Sequence, residues 1–277
     1  MKVDVELLSI LLPGQEPLAV DKYKIVYQPL TKVGCKSLKS WLFLLDEHSE
    51  HSSTDNGYYR TVTEDHYNKD STFHIHNLAS ARFGVFTNGK LLPPTWKLSK
   101  EYGSYKKIVF VRNPWNRIAS CYVDKVLPTK QYYKVVQLQN WFREIDNSKK
   151  YFDKEGRFTF RGFVEAVGMV LEDENINLYD PHWIPQTTTM YTFIDEYDEI
   201  GKLETLNDDI VSFGLKYNFP TRTVGVVDKV LDKNGNHVEK KNSAGKYESF
   251  FVDLDLIERV NEIYIDDIEL LNYTFEQ

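Results

Sequence analysis

Two short apolar runs along the chain each end at a basic turn. Tyr23-Lys24-Ile25-Val26-Tyr27 precedes Thr31-Lys32-Val33-Gly34-Cys35-Lys36-Ser37, and Lys107-Ile108-Val109-Phe110-Val111 precedes Arg112-Asn113-Pro114-Trp115. Short apolar runs bounded by turn residues predict buried strands. After the first turn, Leu38, Trp41, Leu42 and Leu45 recur at helical spacing, predicting a helix over residues 37–45. In the second, Asn113 suits an N-cap and Pro114 the first helical position. Amphipathic patterns predict further helices over residues 158–171 and 254–271. Residues 48–70, rich in Ser, Asp and Asn, read as a surface excursion, and Thr72-Phe73-His74-Ile75-His76 as a short strand. Leu92-Pro93-Pro94 marks a break. Asp232-Lys233-Asn234-Gly235-Asn236 centres a hairpin or exposed loop over residues 226–238. Strand and helix alternate first, and a helix-rich half follows. This is an α/β pattern: a central parallel sheet with helices on both faces, in a single domain over residues 1–277.

Composition narrows the function classes. A formal net charge of −7 gives no broad attraction to nucleic acid, and 18 Tyr and 16 Phe make the chain aromatic-rich. No stretch approaches the roughly 20 apolar residues that span a bilayer, so no membrane partner is expected. Asp4 and Glu6 ahead of Leu7-Leu8-Ser9-Ile10-Leu11-Leu12 argue against a signal peptide, leaving that run as an edge strand or packing arm. The two cysteines, Cys35 and Cys121, make no disulfide framework, so a reducing, cytoplasmic setting is expected.

The chemistry sits at the two turns. A helix start presents unpaired N–H groups and partial positive charge, which suits phosphate or sulfate. The first turn lacks both the Gly-x-x-x-x-Gly-Lys-Ser/Thr loop and the Gly-x-Gly-x-x-Gly fingerprint. It offers Lys32 just past the strand, Gly34 for close backbone approach and the Ser37 hydroxyl. In the second turn Arg112 stands at the strand's C-terminal end, where open α/β sheets place ligand groups. Asn116 and Ser120, four apart, share a helix face. A guanidinium fork and a hydroxyl converging there would clamp a phosphate. On these residues alone, a generic anion loop and a helix start with a salt-bridged arginine remain open.

Thr31-Lys32-Val33-Gly34-Cys35-Lys36-Ser37-Leu38-Lys39 resembles the 5′-phosphosulfate loop of sulfotransferases of the carbohydrate, membrane-associated type (family 2). Val111-Arg112-Asn113-Pro114-Trp115-Asn116-Arg117-Ile118-Ala119-Ser120-Cys121-Tyr122 resembles their 3′-phosphate segment. His182-Trp183-Ile184-Pro185-Gln186 is similar to the family's His-Trp-x-Pro-Gln block, and Tyr197-Asp198-Glu199-Ile200-Gly201-Lys202-Leu203-Glu204-Thr205-Leu206 to its Tyr-Asp-x-Ile-Gly-Lys-x-Glu-Thr-Leu block. The tail Ile263-Tyr264-Ile265-Asp266-Asp267-Ile268-Glu269-Leu270-Leu271-Asn272-Tyr273 is similar to the closing helix, and all occur in family order. Asn113 stands where members often carry an acid. The cysteines that secretory members place between the third and fourth blocks are absent, and no counterpart of their membrane anchor is expected. These departures fit a soluble, reduced relative.

The resemblance implies a P-loop-like nucleotide-binding sulfotransferase fold. It also implies the donor 3′-phosphoadenosine 5′-phosphosulfate (PAPS), with adenosine 3′,5′-bisphosphate (PAP) as product and no metal. Lys32 would meet the leaving oxygen, and Lys32, Val33, Gly34, Cys35, Lys36, Ser37 and Leu38 would cradle the 5′-phosphate. Arg112 and Ser120 would hold the 3′-phosphate. The His-x-His stretch of the uronyl 2-O-sulfotransferase branch carries the base role to His76, with His74 on the same face and His182 in reserve. Hydrogen-bonded structural histidines are the alternative at each position. Ser243 and Lys246, in the basic run Lys240-Lys241-Asn242-Ser243-Ala244-Gly245-Lys246, match the family's mobile loop over the nucleotide. The acceptor expected is the hydroxyl of a small-molecule alcohol or glycoside, with a polysaccharide as alternative. A Mg²⁺-dependent phosphotransferase and a non-catalytic PAPS-binding protein are the rivals from other classes.

Overall fold

The apolar runs assemble into a five-stranded mixed sheet of order β3-β1-β2-β4-β5. The structure, a computed structural model, describes residues 17–34, 38, 42, 89–91, 102–128, 132–190, 194–219, 229–231, 237–239 and 247–275. The strands are β1 (Leu18–Val20), β2 (Ile25–Gln28), β3 (Gly89–Leu91), β4 (Lys106–Val111) and β5 (Glu199–Lys202). The pairings β2–β4 and β4–β5 are parallel, whereas β1–β2 and β1–β3 are antiparallel. The expected parallel sheet is therefore confined to β2, β4 and β5. Its other side differs because a single 3-10 turn, Asp21–Tyr23, joins β1 to β2, and so short a link permits only antiparallel pairing.

The helices are α1 (Pro114–Cys121), α2 (Tyr133–Ile145), α3 (Phe160–Glu172), α4 (Gln186–Thr189), α5 (Leu206–Tyr217), α6 (Leu254–Ile263) and α7 (Ile265–Leu270). α1 starts as its sequence predicts: Pro114 is in the first turn and the Asn113 side chain accepts from the Asn116 N–H at 3.1 Å. Thr159 caps α3 through the Gly162 N–H. The helix predicted over residues 254–271 is instead two, because Tyr264 leaves helical geometry (φ −114°, ψ 28°) while its hydroxyl donates to the Trp183 carbonyl. The predicted hairpin forms from β6 (Lys229–Leu231) and β7 (His237–Glu239), in register Leu231↔His237. Of the helix predicted over residues 37–45, Leu38 and Leu42 are described, both helical and fully buried. Residues 7–12, the excursion over 48–70, the strand over 72–76 and the break at 92–94 lie outside the described residues.

The chain divides into two compact units, Met1–Val111 with Met190–Asp228, and Arg112–Thr189 with Lys229–Gln277. The first holds the five-stranded sheet and α5. Its core includes Phe110, fully buried between the rings of Tyr27 (6.4 Å) and Phe213 (5.7 Å). Gly201 on β5 lets that ring approach: a Cβ there would lie 2.3 Å from Phe110 Cε1. The second unit is helical around its core, with Phe163 edge-on to the buried Trp183 at 6.0 Å. Gly201→Ala is therefore expected to overpack the sheet and cost about 2 kcal/mol. Urea unfolding checks this: the midpoint should fall with an unchanged slope.

Candidate functional site

The first turn presents its lysine on an unusual backbone. Lys32 has φ 64° and Gly34 φ 64°, both in the left-handed region, which a residue with a Cβ rarely enters. Val33 between them is fully buried, while Lys32 is half-exposed. A Cβ on Gly34 would come 2.8 Å from Leu203 Cδ1, a flexible side-chain end that would have to shift, so the positive φ is the main reason for glycine there. The Gly34 carbonyl accepts the Leu38 N–H at 3.0 Å, which begins the helix. Leu38 thus gives a buried side chain and an engaged amide.

The second turn fixes its arginine from behind. One carboxamide, that of Gln186, takes both polar backbone groups of Arg112: its Oε1 accepts the Arg112 N–H at 2.8 Å, and its Nε2 donates to the Arg112 carbonyl at 2.8 Å. The Arg112 guanidinium lies over the Tyr247 ring, 5.6 Å from its centroid. Along α1, Trp115, Ile118, Ala119 and Cys121 are buried, while Asn113, Asn116 and Ser120 form a half-buried polar stripe. Arg117 serves a different purpose from Arg112. Its guanidinium is 1 % exposed and donates to the carbonyls of Ile184 (2.8 Å) and Pro181 (2.6 Å), tying α1 to residues 181–184.

That segment carries His182. Asp180, 3 % exposed, accepts from the His182 backbone N–H (2.9 Å), the Tyr132 hydroxyl (2.9 Å) and the His182 ring at Nδ1. A carboxylate only accepts, so Nδ1 carries a proton and, in the neutral ring, the basic lone pair sits on Nε2. Burial pushes the Asp180 carboxyl up, but the hydrogen bonds and charge of His182 and the Tyr132 hydroxyl outweigh it and hold the carboxyl below its usual range. Burial and the Asp180 charge push the Tyr132 phenol up, so it stays a donor.

A profile described as "Sulfotransferase family" matches residues 16–274, running through both turns and every block above. The chain belongs to the sulfotransferase family. Among its relatives, carbohydrate sulfotransferase 9 of Homo sapiens is 27% identical over 265 residues, covering 92% of this chain and 52% of that protein. Carbohydrate sulfotransferase 8 of Homo sapiens is 24% identical over 259 residues, covering 92% and 54%. Carbohydrate sulfotransferase 12 of Mus musculus is 26% identical over 200 residues, covering 68% and 45%. The chain thus spans about half the length of these relatives. No solved structure matches it.

Of the predicted site residues in this family member, Lys32, Val33, Gly34 and Leu38 lie together on the first turn, and Arg112, Ser120 and His182 in the helical unit. Cys35, Lys36, Ser37, His74, His76, Ser243 and Lys246 lie outside the described residues. The Tyr-Asp block is framework: Asp198 accepts from Lys106 Nζ and the Lys107 N–H, both at 2.9 Å, and the Tyr197 hydroxyl donates to Gln28. Sequence reading missed Asp180, Gln186, Tyr247 and Asp267 as individual residues. Asp180 left a signal, because an acid two residues before a histidine suits an Asx turn.

Because its folded pKa is depressed, Asp180 contributes full stability above the unfolded carboxylate value of about 3.9 and loses it as pH falls through the lower folded value. Asp180→Asn should therefore have a lower urea midpoint than wild type at pH 7, the gap narrowing below about pH 4. A gap independent of pH would show that the charge of Asp180 does not stabilise the fold.

Proposed function

We propose that the chain transfers the sulfuryl group of PAPS to a carbohydrate hydroxyl. The observation that carries this reading is Arg112, the family's 3′-phosphate arginine, whose backbone is doubly hydrogen-bonded and whose guanidinium is backed by Tyr247. A rigid fork beside the polar stripe of Asn113, Asn116 and Ser120 fits a phosphate monoester. Lys32 and the backbone of residues 33–37 take the 5′-phosphate side, as the family loop implies. That both turns serve one nucleotide rests on the family resemblance. Tyr247 directly follows Lys246, which supports the late loop, with Ser243 and Lys246, as the nucleotide's cover.

The bound nucleotide supplies an activated sulfuryl group. In the proposed step the acceptor oxygen bonds to sulfur as the bond from sulfur to the 5′-phosphate oxygen breaks. Lys32 meets the charge gathering on that leaving oxygen, and a histidine takes the acceptor proton. His76 holds the base role by resemblance. His182 is supported by its contact with Asp180, which leaves Nε2 as the basic nitrogen. The relatives' names favour a carbohydrate acceptor over the small-molecule alcohol expected from composition. A cytoplasmic setting remains part of the proposal, on cysteine usage alone.

Incubation with labelled PAPS and a panel of glycans, glycosides and simple alcohols tests the reading, and label should pass to a sugar hydroxyl. Transfer to none of them, with PAP still bound, would favour a non-catalytic binder. Lys32→Gly suits the positive φ while removing the ammonium, so turnover should fall by about 100-fold or more with PAP affinity nearly kept. Equal turnover would remove Lys32 from the chemistry. His182→Ala and His76→Ala, compared across pH, identify the base as the variant that loses the acidic limb of kcat, the fall in turnover as the base becomes protonated.

A further inference from the structure

Gln186 does more than fill space beneath Arg112. A residue's N–H belongs to the peptide plane before its Cα, and its carbonyl to the plane after. One carboxamide bonded to both therefore fixes φ and ψ together, and with them the direction of the Cα–Cβ bond. Pro114 adds to this by restricting Asn113, which sits at φ −47°, ψ 122°. The Arg112 side chain thus leaves a backbone with little freedom.

Gln186 is itself held. Asp267, fully buried on α7, accepts from the Gln186 backbone N–H (2.8 Å), the Gln186 Nε2 (3.2 Å), the Thr187 N–H (2.9 Å) and the Thr187 hydroxyl (2.8 Å). Because the carboxylate only accepts, it selects the orientation of the carboxamide: Nε2 must face Asp267 and the Arg112 carbonyl, and Oε1 must face the Arg112 N–H. Rotated by half a turn, the amide would set donor against donor and oxygen against oxygen.

We infer that Asp267 and Gln186 are positioning residues for nucleotide affinity, acting through Arg112: the carboxylate sets the carboxamide, and the carboxamide sets the direction of the anchor. This rests on the proposed role of Arg112 in binding the 3′-phosphate.

A double-mutant cycle read by calorimetry with PAP separates positioning from general support of the fold. Gln186→Met keeps side-chain length and removes both bonds to Arg112. It should weaken PAP binding about tenfold in the wild-type background, but less than twofold once Arg112→Ala is present. Thr187→Val, a milder change that removes one donor to Asp267, should give a smaller loss, again present only with Arg112 intact. It keeps the test decisive should Gln186→Met fold poorly. Losses of equal size in both backgrounds would overturn the inference, as would Gln186→Met and Thr187→Val proteins that bind PAP like wild type while Arg112→Ala does not. If Arg112→Ala itself binds PAP normally, the phosphate assignment fails first, and the inference falls with it.

Discussion

The helical unit depends on how the chain leaves β4. A segment passing from strand to helix has polar backbone groups that neither element satisfies, and burying them unpaired costs about 1–3 kcal/mol each. Here the cost is met by side chains from residues far along the chain. Gln186 pairs with both backbone groups of Arg112, and Arg117 reaches back to the carbonyls of Pro181 and Ile184. The exchange is reciprocal: the start of α1 receives a carboxamide and returns a guanidinium. Two arginines of one motif consequently have opposite fates. Arg112 is held by its backbone and presents its side chain over Tyr247, whereas Arg117 is held by its side chain and presents nothing.

The first turn reaches a comparable end by another route. Lys32 is half-exposed between buried Leu30 and Val33, on a backbone whose φ of 64° opposes the preference of any residue with a Cβ. A conformation of that kind persists when its surroundings over-determine it, and here Gly34 seated against Leu203 and the helix bond from Leu38 to Gly34 do so. In both turns the charged side chain is presented by a backbone that has been fixed in advance. Electrostatic stabilisation of a transferring group requires this, since a cation that must reorganise gives back part of what it contributes.

The parts legible in the sequence were those with local causes. Asn113 and Pro114 set the start of α1, and β6 and β7 pair where the sequence predicts a hairpin or exposed loop. β5 was hidden because Glu199-Ile200-Gly201-Lys202 is neither alternating nor apolar, and becomes a strand only through pairing with β4 and the space Gly201 leaves for Phe110. The break at Tyr264 was hidden because the apolar period runs straight through it, while the contact between its hydroxyl and Trp183 is tertiary. Nothing in the sequence analysis set Asp267 apart from its neighbour Asp266. Its spacing from Val260, Tyr264 and Leu271, all buried, was the available signal that it faces inward.

Among the charged side chains buried in the helical unit, Arg117, Asp180 and Asp267 share a design. Each bonds to groups within residues 180–187: Arg117 to two of its carbonyls, Asp180 to the backbone and ring of His182, Asp267 to the amides of Gln186 and Thr187. A buried charge that loses its partners is far costlier than one that was never buried. Change in the segment is therefore constrained, because the carbonyls of Pro181 and Ile184 and the amides of His182, Gln186 and Thr187 are also partners of buried charges. The His-Trp-x-Pro-Gln block then has a physical reading beyond any single catalytic role. It is a short length of backbone that Asp180 joins at His182, Arg117 of α1 at the Ile184 carbonyl and Asp267 of α7 at the Gln186 amide, so that His182 and the carboxamide holding Arg112 sit on one braced segment.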